Sequence, residues 1–248
     1  MSPSDFYVQN IYDKFRFFAT WAPNAPIQLG QVGILEGYYF TQKSSLERLG
    51  ILPVILPGNS AEVNYSHSSN VEIGFSAKGK ARAKAAGGVD IKIQFGRSGA
   101  FLFETERCTV AEIENKLEIG DEIKKRFAEG EWDPSWVVVD RLIQSGSTTI
   151  MIADSNTAEL QLSVASKLPE IALTDVSLSF QTKYKRGELT KIVATRGLAP
   201  LFQVSRIQRS FLNKLSRRSG HVRFGGETES LAERSSTVEQ VWEQVFIG

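Results

Sequence analysis

Apolar residues recur with two different periods along this chain, and the switches between them mark out its elements. Val8, Ile11, Tyr12, Phe15 and Phe18 follow helical spacing, with Lys14 and Arg16 off that stripe. The pattern predicts an amphipathic N-terminal helix capped at Ser4. Trp21 to Pro26 ends it, because prolines cannot continue a helix. Ile27 to Phe40 reads as short apolar strands broken by Gly30, Gly33 and Gly37. Ser44 and Glu47 have capping-box spacing before a brief helix ending near Gly50, and Asn59 to Asn70 reads as a polar connection.

From Val71 to Ala85 the period becomes two. Val71, Ile73, Phe75 and then Ala77, Gly79, Ala81, Ala83 and Ala85 alternate with a polar, mainly basic set that includes Lys78, Lys80, Arg82 and Lys84. Gly87-Gly88 predicts a turn. Val89, Ile91, Ile93 and Phe95 then alternate with Asp90, Lys92 and Gln94, and Ala100 to Arg107 carries the run past Gly96–Gly99. The alanines and lysines also have good helix propensity. A helix would scatter the four bases around its circumference, whereas a strand keeps them on one face. A typical strand has about 5–6 residues, so these runs are long.

Thr109 and Glu112 have capping-box spacing ahead of a helix carrying Ile113, Leu117, Ile123 and Phe127, with Gly120 as a weak point. WVVVDRLI and TTIMIA read as strands. Ala158, Leu160, Leu162 and Val164 alternate cleanly, as do Val176, Leu178 and Phe180 in a strand running toward Tyr184. After a turn at Arg186-Gly187, Leu189 to Thr195 reads as its return, and Leu201 to Ile207 closes the β-rich part. Ser236 and Glu239 form a further capping box before Val238, Val241, Trp242, Val245 and Phe246 at helical spacing. The expected fold is α+β: a twisted, mainly antiparallel β-sheet with long β-hairpins flanked by helices, plus a short C-terminal helical tail. The expected division is a body over residues 1–210 and a linker with tail over 211–248.

Charge sharpens that division. The 29 Lys+Arg and 28 Asp+Glu give a net +1 over 248 residues. From Gly225 onward five glutamates face one arginine, so the tail carries −4 and the remainder +5. A near-neutral total excludes a polyanion binder that works by bulk charge. A single cysteine excludes a disulfide framework. The N-terminus has no secretory pattern and no run approaches about 18 apolar residues, so the expectation is a chain made soluble in the cytoplasm.

Catalytic chemistry finds little to build on. His67 lies in a polar stretch and His221 in the basic segment before the tail, and Cys108 has no local histidine partner. HExxH, G-x-S-x-G and P-loop motifs are missing, and acids such as Asp140 and Asp154 stand singly. The expectation is a protein that is not an enzyme and takes neither metal nor cofactor.

Long strands with one apolar and one polar face suit two roles. One is an exposed hairpin in a soluble sheet, a binding module for nucleic acid or an acidic protein. The other is a membrane-spanning hairpin, which needs about 9–11 residues per strand and must close into a barrel because unpaired backbone is costly in lipid. The first hairpin would be Val71–Arg107 and the second Ala158–Thr195. Lys78–Lys84 is interleaved with alanine and glycine rather than aromatics, which disfavours nucleic acid.

The order of elements resembles the pore-forming domain of the gasdermins over about Val71 to Ile207. Val137, Val138 and Val139 stand where that family has a Val-Val strand. Leu198, Ala199, Phe202 and Val204 match its closing strand. The resemblance implies an autoinhibited pore former of cell death or antiviral defence, closest in size and tail to bacterial and fungal members. It has no cysteine near its start, where bacterial members often carry a lipid-modified one. Such a protein is a cytoplasmic monomer until a protease removes its tail, with a cut expected between Arg217 and Ser235. It then binds acidic lipids, self-oligomerises and inserts into the membrane. On that reading Lys14, Arg16, Lys78, Lys80, Arg82, Lys84 and Lys92 contact lipid or line the pore. Val71, Ile73, Phe75, Val89, Ile91, Ile93, Phe95, Leu160, Leu162, Val164, Val176, Leu178 and Phe180 insert. Val238, Val241, Trp242, Val245 and Phe246 belong to the inhibitory tail.

Overall fold

A computed structural model describes residues 1–78, 88–164, 181–194, 197–208 and 241–247. In chain order the elements are α1 (Pro3–Phe15), β1 (Phe18–Ala19), β2 (Gln31–Glu36), β3 (Tyr39–Ser45), a 3₁₀ turn (Glu47–Leu49), β4 (Ile55–Ser69), β5 (Val71–Lys78), β6 (Gly88–Phe95) and β7 (Phe101–Ile113). There follow α2 (Lys116–Ala128), β8 (Val137–Gln144), β9 (Ser147–Ala153), β10 (Glu159–Val164), β11 (Gln181–Arg186), β12 (Leu189–Ala194), β13 (Leu201–Ile207) and β14 (Trp242–Gln244). The fold is α+β and mainly antiparallel, with two α-helices among the described residues.

The chain forms two compact units. The first comprises Met1–Pro26, Asn59–Thr109 and Ile143–Leu201; the second comprises Ile27–Gly58, Val110–Leu142 and Phe202–Gly248.

The first unit has three layers. Its middle sheet pairs β7 with β9 (Phe101↔Ile152 to Glu106↔Ser147) and β9 with β12 (Leu189↔Ala153 to Ala194↔Thr148). Alternation turns Phe101 and Phe103 to one side and Leu102 and Met151 to the other. α1 covers the first side. Tyr7 and Phe15 set their rings 5.3 and 5.9 Å from Phe101 and Phe103, and Val8, Ile11 and Tyr12 are buried with Tyr7. On the second side Leu102 and Met151 pack in one apolar core with Ile91, Ile93, Phe95, Leu160 and Leu162 of a separate four-stranded sheet.

In the second unit β2 pairs with β3 and with β8, with Val32 opposite Val138. Only glycine fits at position 33, where an added Cβ would lie 2.2 Å from the Thr41 carbonyl. The core gathers Val32, Leu46, Ile51, Ile113, Ile119, Ile123, Trp132 and Val138.

Several sequence expectations are corrected. The helix cap is Ser2, not Ser4, because Pro3 occupies the first helical position where no N–H is needed; Ser2 and Asp5 close a capping box. The brief helix expected after Ser44 is only a 3₁₀ turn over Glu47–Leu49, and Ser44 belongs to β3. Of the polar connection expected at Asn59–Asn70, all but Asn70 instead belongs to the 15-residue strand β4. Thr109 does not start a helix: β7 runs on to Ile113 and α2 begins at Lys116. Asn115 ends that strand by donating to the Leu52 carbonyl at 3.1 Å and accepting from the Val54 N–H at 2.7 Å. Both predicted hairpins are shorter. The turn at Gly96–Gly99 sends Phe101 onward into the middle sheet, so the first hairpin stops at Phe95. Leu189 to Ala194 pairs with β9 rather than returning along β11.

Candidate functional site

The four-stranded sheet is built from two hairpins laid side by side, in the order β11-β10-β6-β5. β5 and β6 run antiparallel from Val71↔Phe95 to Lys78↔Gly88. β6 continues onto β10 from Gln94↔Glu159 to Val89↔Val164, and β10 onto β11 from Glu159↔Arg186 to Ser163↔Gln181. The strand ends flanking residues 79–87 and 165–180 therefore line up at one end of the sheet. Residues directly opposite in such ladders share a face.

The apolar face brings together most of the predicted inserting residues. Ile91, Ile93, Phe95, Leu160 and Leu162 are buried on it, and Val71 and Ile73 are partly buried. Phe75, Val89 and Val164 occupy register positions on the same face. Val176, Leu178 and Phe180 lie outside the described residues.

The opposite face carries two transverse rows: Glu72, Gln94, Glu159 and Arg186, then Gly74, Lys92, Gln161 and Tyr184. The first row lies along an open groove of about 570 Å³ lined also by Asn70 and Asn156. Glu159 accepts hydrogen bonds from Gln94 at 3.3 Å and Gln161 at 3.1 Å, and pairs with Lys92 at 3.3 Å. The basic face expected from sequence is thus mixed in its described rows, and Lys92 is held by an acid. Lys78 ends β5 opposite Gly88; Lys80, Arg82 and Lys84 lie outside the described residues. At the β11 edge, Lys185 stands opposite Leu160 on the apolar side, a charge placement that discourages indiscriminate edge pairing.

Lys14 and Arg16 do not join this face. They sit at the end of α1, across the middle sheet from the four-stranded one. Lys14 is exposed, and the Arg16 guanidinium lies 5.6 Å from the centre of the Tyr12 ring. His67 of β4 faces Phe101 at 5.3 Å and Phe15 at 6.1 Å. Burial, with the nearby Lys14 charge, holds its imidazole below the ordinary value. Cys108 is buried with its thiol 3.1 Å from the Thr105 hydroxyl, and burial pushes that thiol up, the wrong direction for a nucleophile.

The second unit holds the tail. The segment expected as a helix forms a strand over Trp242–Gln244 instead, with Ile207↔Trp242 and Ser205↔Gln244 on β13. The ladder is extended by Gln208 N–H to the Val241 carbonyl at 3.0 Å and Val245 N–H to the Val204 carbonyl at 3.1 Å. Val241 and Trp242 are buried, Val245 is half-buried and Phe246 is 62% exposed, so Phe246 does not dock as expected. Val238 lies outside the described residues. Glu243 pairs with Arg206.

The tail's receptor was not foreseen from sequence. The Trp242 indole donates to the Lys116 carbonyl at 2.7 Å. Lys116 Nζ lies 2.5 Å from buried Asp140, which also accepts from the Ser205 hydroxyl at 3.0 Å. Gly120 leaves the room for this contact, since a Cβ there would lie 2.7 Å from Val241 Cγ1. The available signal was that glycine in the middle of a helix, where it costs about 1 kcal/mol relative to alanine.

Among the described residues no helix is long and apolar enough to cross a membrane. No protein-family model and no curated protein sequence matches the chain. Among solved structures it is similar to the gasdermin A3 membrane pore determined by cryo-EM, at 9% sequence identity and a TM-score of 0.39, over 100% of this chain and 95% of that chain.

Proposed function

We propose that this protein is a gasdermin-like pore former in which the two hairpins β5–β6 and β10–β11 are the membrane-inserting elements and the C-terminal segment is the restraint. The observation that carries this reading is their union in one antiparallel sheet with the strand ends aligned, apolar on one face across β5, β6 and β10 and polar on the other, with Lys185 of β11 at the rim of the apolar face. A barrel wall needs that two-faced ladder, with lipid on one side and water on the other. Four strands cannot close alone, so the wall is completed by further copies of the chain. The apolar face is now spent on the core against Leu102 and Met151. Insertion exchanges that contact for lipid, so the hairpins must leave the middle sheet. The acidic tail, seated by Val241 and Trp242, is removed by proteolysis, leaving a body of net positive charge that favours acidic lipid.

Dye release from anionic liposomes tests this. Full-length protein is expected to be inactive and protein cut between Arg217 and Ser235 to release dye. A fully cut, folded protein that releases none on anionic or neutral vesicles overturns the reading.

A further inference from the structure

We infer that Glu72 and Arg186 form a charge pair between neighbouring copies of this chain and set the register in which the copies join. The inference rests on the pore reading and deepens it by naming the contact between protomers. The four-stranded sheet has two edges, β5 and β11, and neither outer edge pairs with another strand among the described residues. Because every pair within it is antiparallel, β11 of one copy meets β5 of the next antiparallel too, and the alternation continues unbroken. Such a head-to-tail contact builds a ring from one repeated interface.

The edge residues complement each other across that junction. Glu72 on β5 and Arg186 on β11 terminate the same transverse row, through Gln94 and Glu159, on the same polar face. Both are exposed, and among the described residues neither has an opposite-charge partner. Extending the ladder in register sets Arg186 directly against Glu72 of the next copy. Closing a barrel tilts the strands and staggers the junction. A stagger of two residues preserves the face and makes the two diagonal neighbours, about 7–8 Å apart and within reach of an arginine side chain. A one-residue slip would instead join the polar face of one copy to the apolar face of the next and set Arg186 and Glu72 on opposite faces. The pair therefore rewards the productive registers and penalises the slipped ones.

Charge reversal in the full chain, cut between Arg217 and Ser235 and added to anionic liposomes, tests this. Glu72→Arg and Arg186→Glu are each expected to slow dye release about fivefold, from like charges meeting at every junction. The double reversal is expected to recover to within about twofold of the parent. A Glu72→Cys/Arg186→Cys pair in a Cys108→Ser background should yield a disulfide-linked ladder only on membranes when the junction is in direct register, and Asn70→Cys or Gly74→Cys in place of Glu72→Cys should do so when it is staggered by two residues. Within one copy those positions are three strand spacings apart, about 14 Å, too far for a bridge. If the parent assembles and leaks while the single reversals match it, or the double is no better than the singles, the pair is overturned and the pore reading stands. If the cut parent does not leak and the cut cysteine variant does not cross-link, both fall.

Discussion

The indole Nε1 of Trp242 donates a 2.7 Å hydrogen bond to the carbonyl of Lys116, joining the tail strand to the first turn of α2. The ring is 6% exposed, so it contributes both burial and a hydrogen bond. Trp242→Ala is expected to cost about 3 kcal/mol, the usual price of emptying an aromatic site. Trp242→Phe keeps most of the packing and costs about 1 kcal/mol for the lost hydrogen bond. Urea unfolding measures both. Trp242→Ala in uncut protein should also raise liposome leakage, and a variant as silent as the parent would count against restraint by the tail.

Gly120 reverses the usual sign of a helix substitution. Gly→Ala inside a helix ordinarily stabilises by about 1 kcal/mol. Here the added methyl would sit 2.7 Å from Val241 Cγ1 and 3.2 Å from Trp242 Nε1, both buried. Gly120→Ala is expected to loosen the tail, and Gly120→Val to do so more. Limited proteolysis of the uncut protein reads this as faster cleavage on the N-terminal side of Val241.

That same glycine shows what was legible in the sequence. Alternation located β5, β6 and β10, because strands buried on one face only write period two into the chain. It could not say which strands pair: Leu189–Ala194 fits a return along β11 as well as its observed place on β9. The Thr109–Glu112 spacing satisfied a local helix rule, and tertiary pairing kept Val110–Ile113 in a strand. In the tail, Trp242 and Val245 have spacings compatible with helix, and the ladder on β13 holds Trp242–Gln244 as a strand. The contacts of Lys116 with Asp140 and Trp242 span 24 and 126 residues, beyond any local pattern.

The Lys116–Asp140 ion pair, at 2.5 Å with Asp140 buried, predicts an asymmetry between its single variants. Lys116→Met strands a buried carboxylate that keeps only the Ser205 hydroxyl, and is expected to cost about 3 kcal/mol. Asp140→Asn retains an acceptor for Ser205 and leaves Lys116 able to reach water, so its cost is about half as large. Chemical denaturation of the singles and the double gives the coupling, and a cycle that closes with no interaction would mean the pair contributes nothing.

His67 gives stability a pH dependence whose sign follows from its surroundings. Burial among Phe15 and Phe101, with the Lys14 charge nearby, places its folded pKa below the ordinary value of about 6.5. Between those two values the unfolded chain binds more protons than the folded one, so stability rises with pH through that window. The contribution is present above about 6.5 and is lost as pH falls through the folded value. Glu104 acts oppositely in its own window: burial, with Glu106 beside it, raises its carboxyl, so the folded chain gains relative stability as pH falls toward the ordinary carboxylate range. Melting temperatures between pH 5 and 7.5 should therefore fall less steeply on acidification in His67→Asn than in the parent. Glu104→Gln should show the steeper fall. Parallel curves for His67→Asn and the parent would remove His67 as a source of acid sensitivity where α1 meets β4.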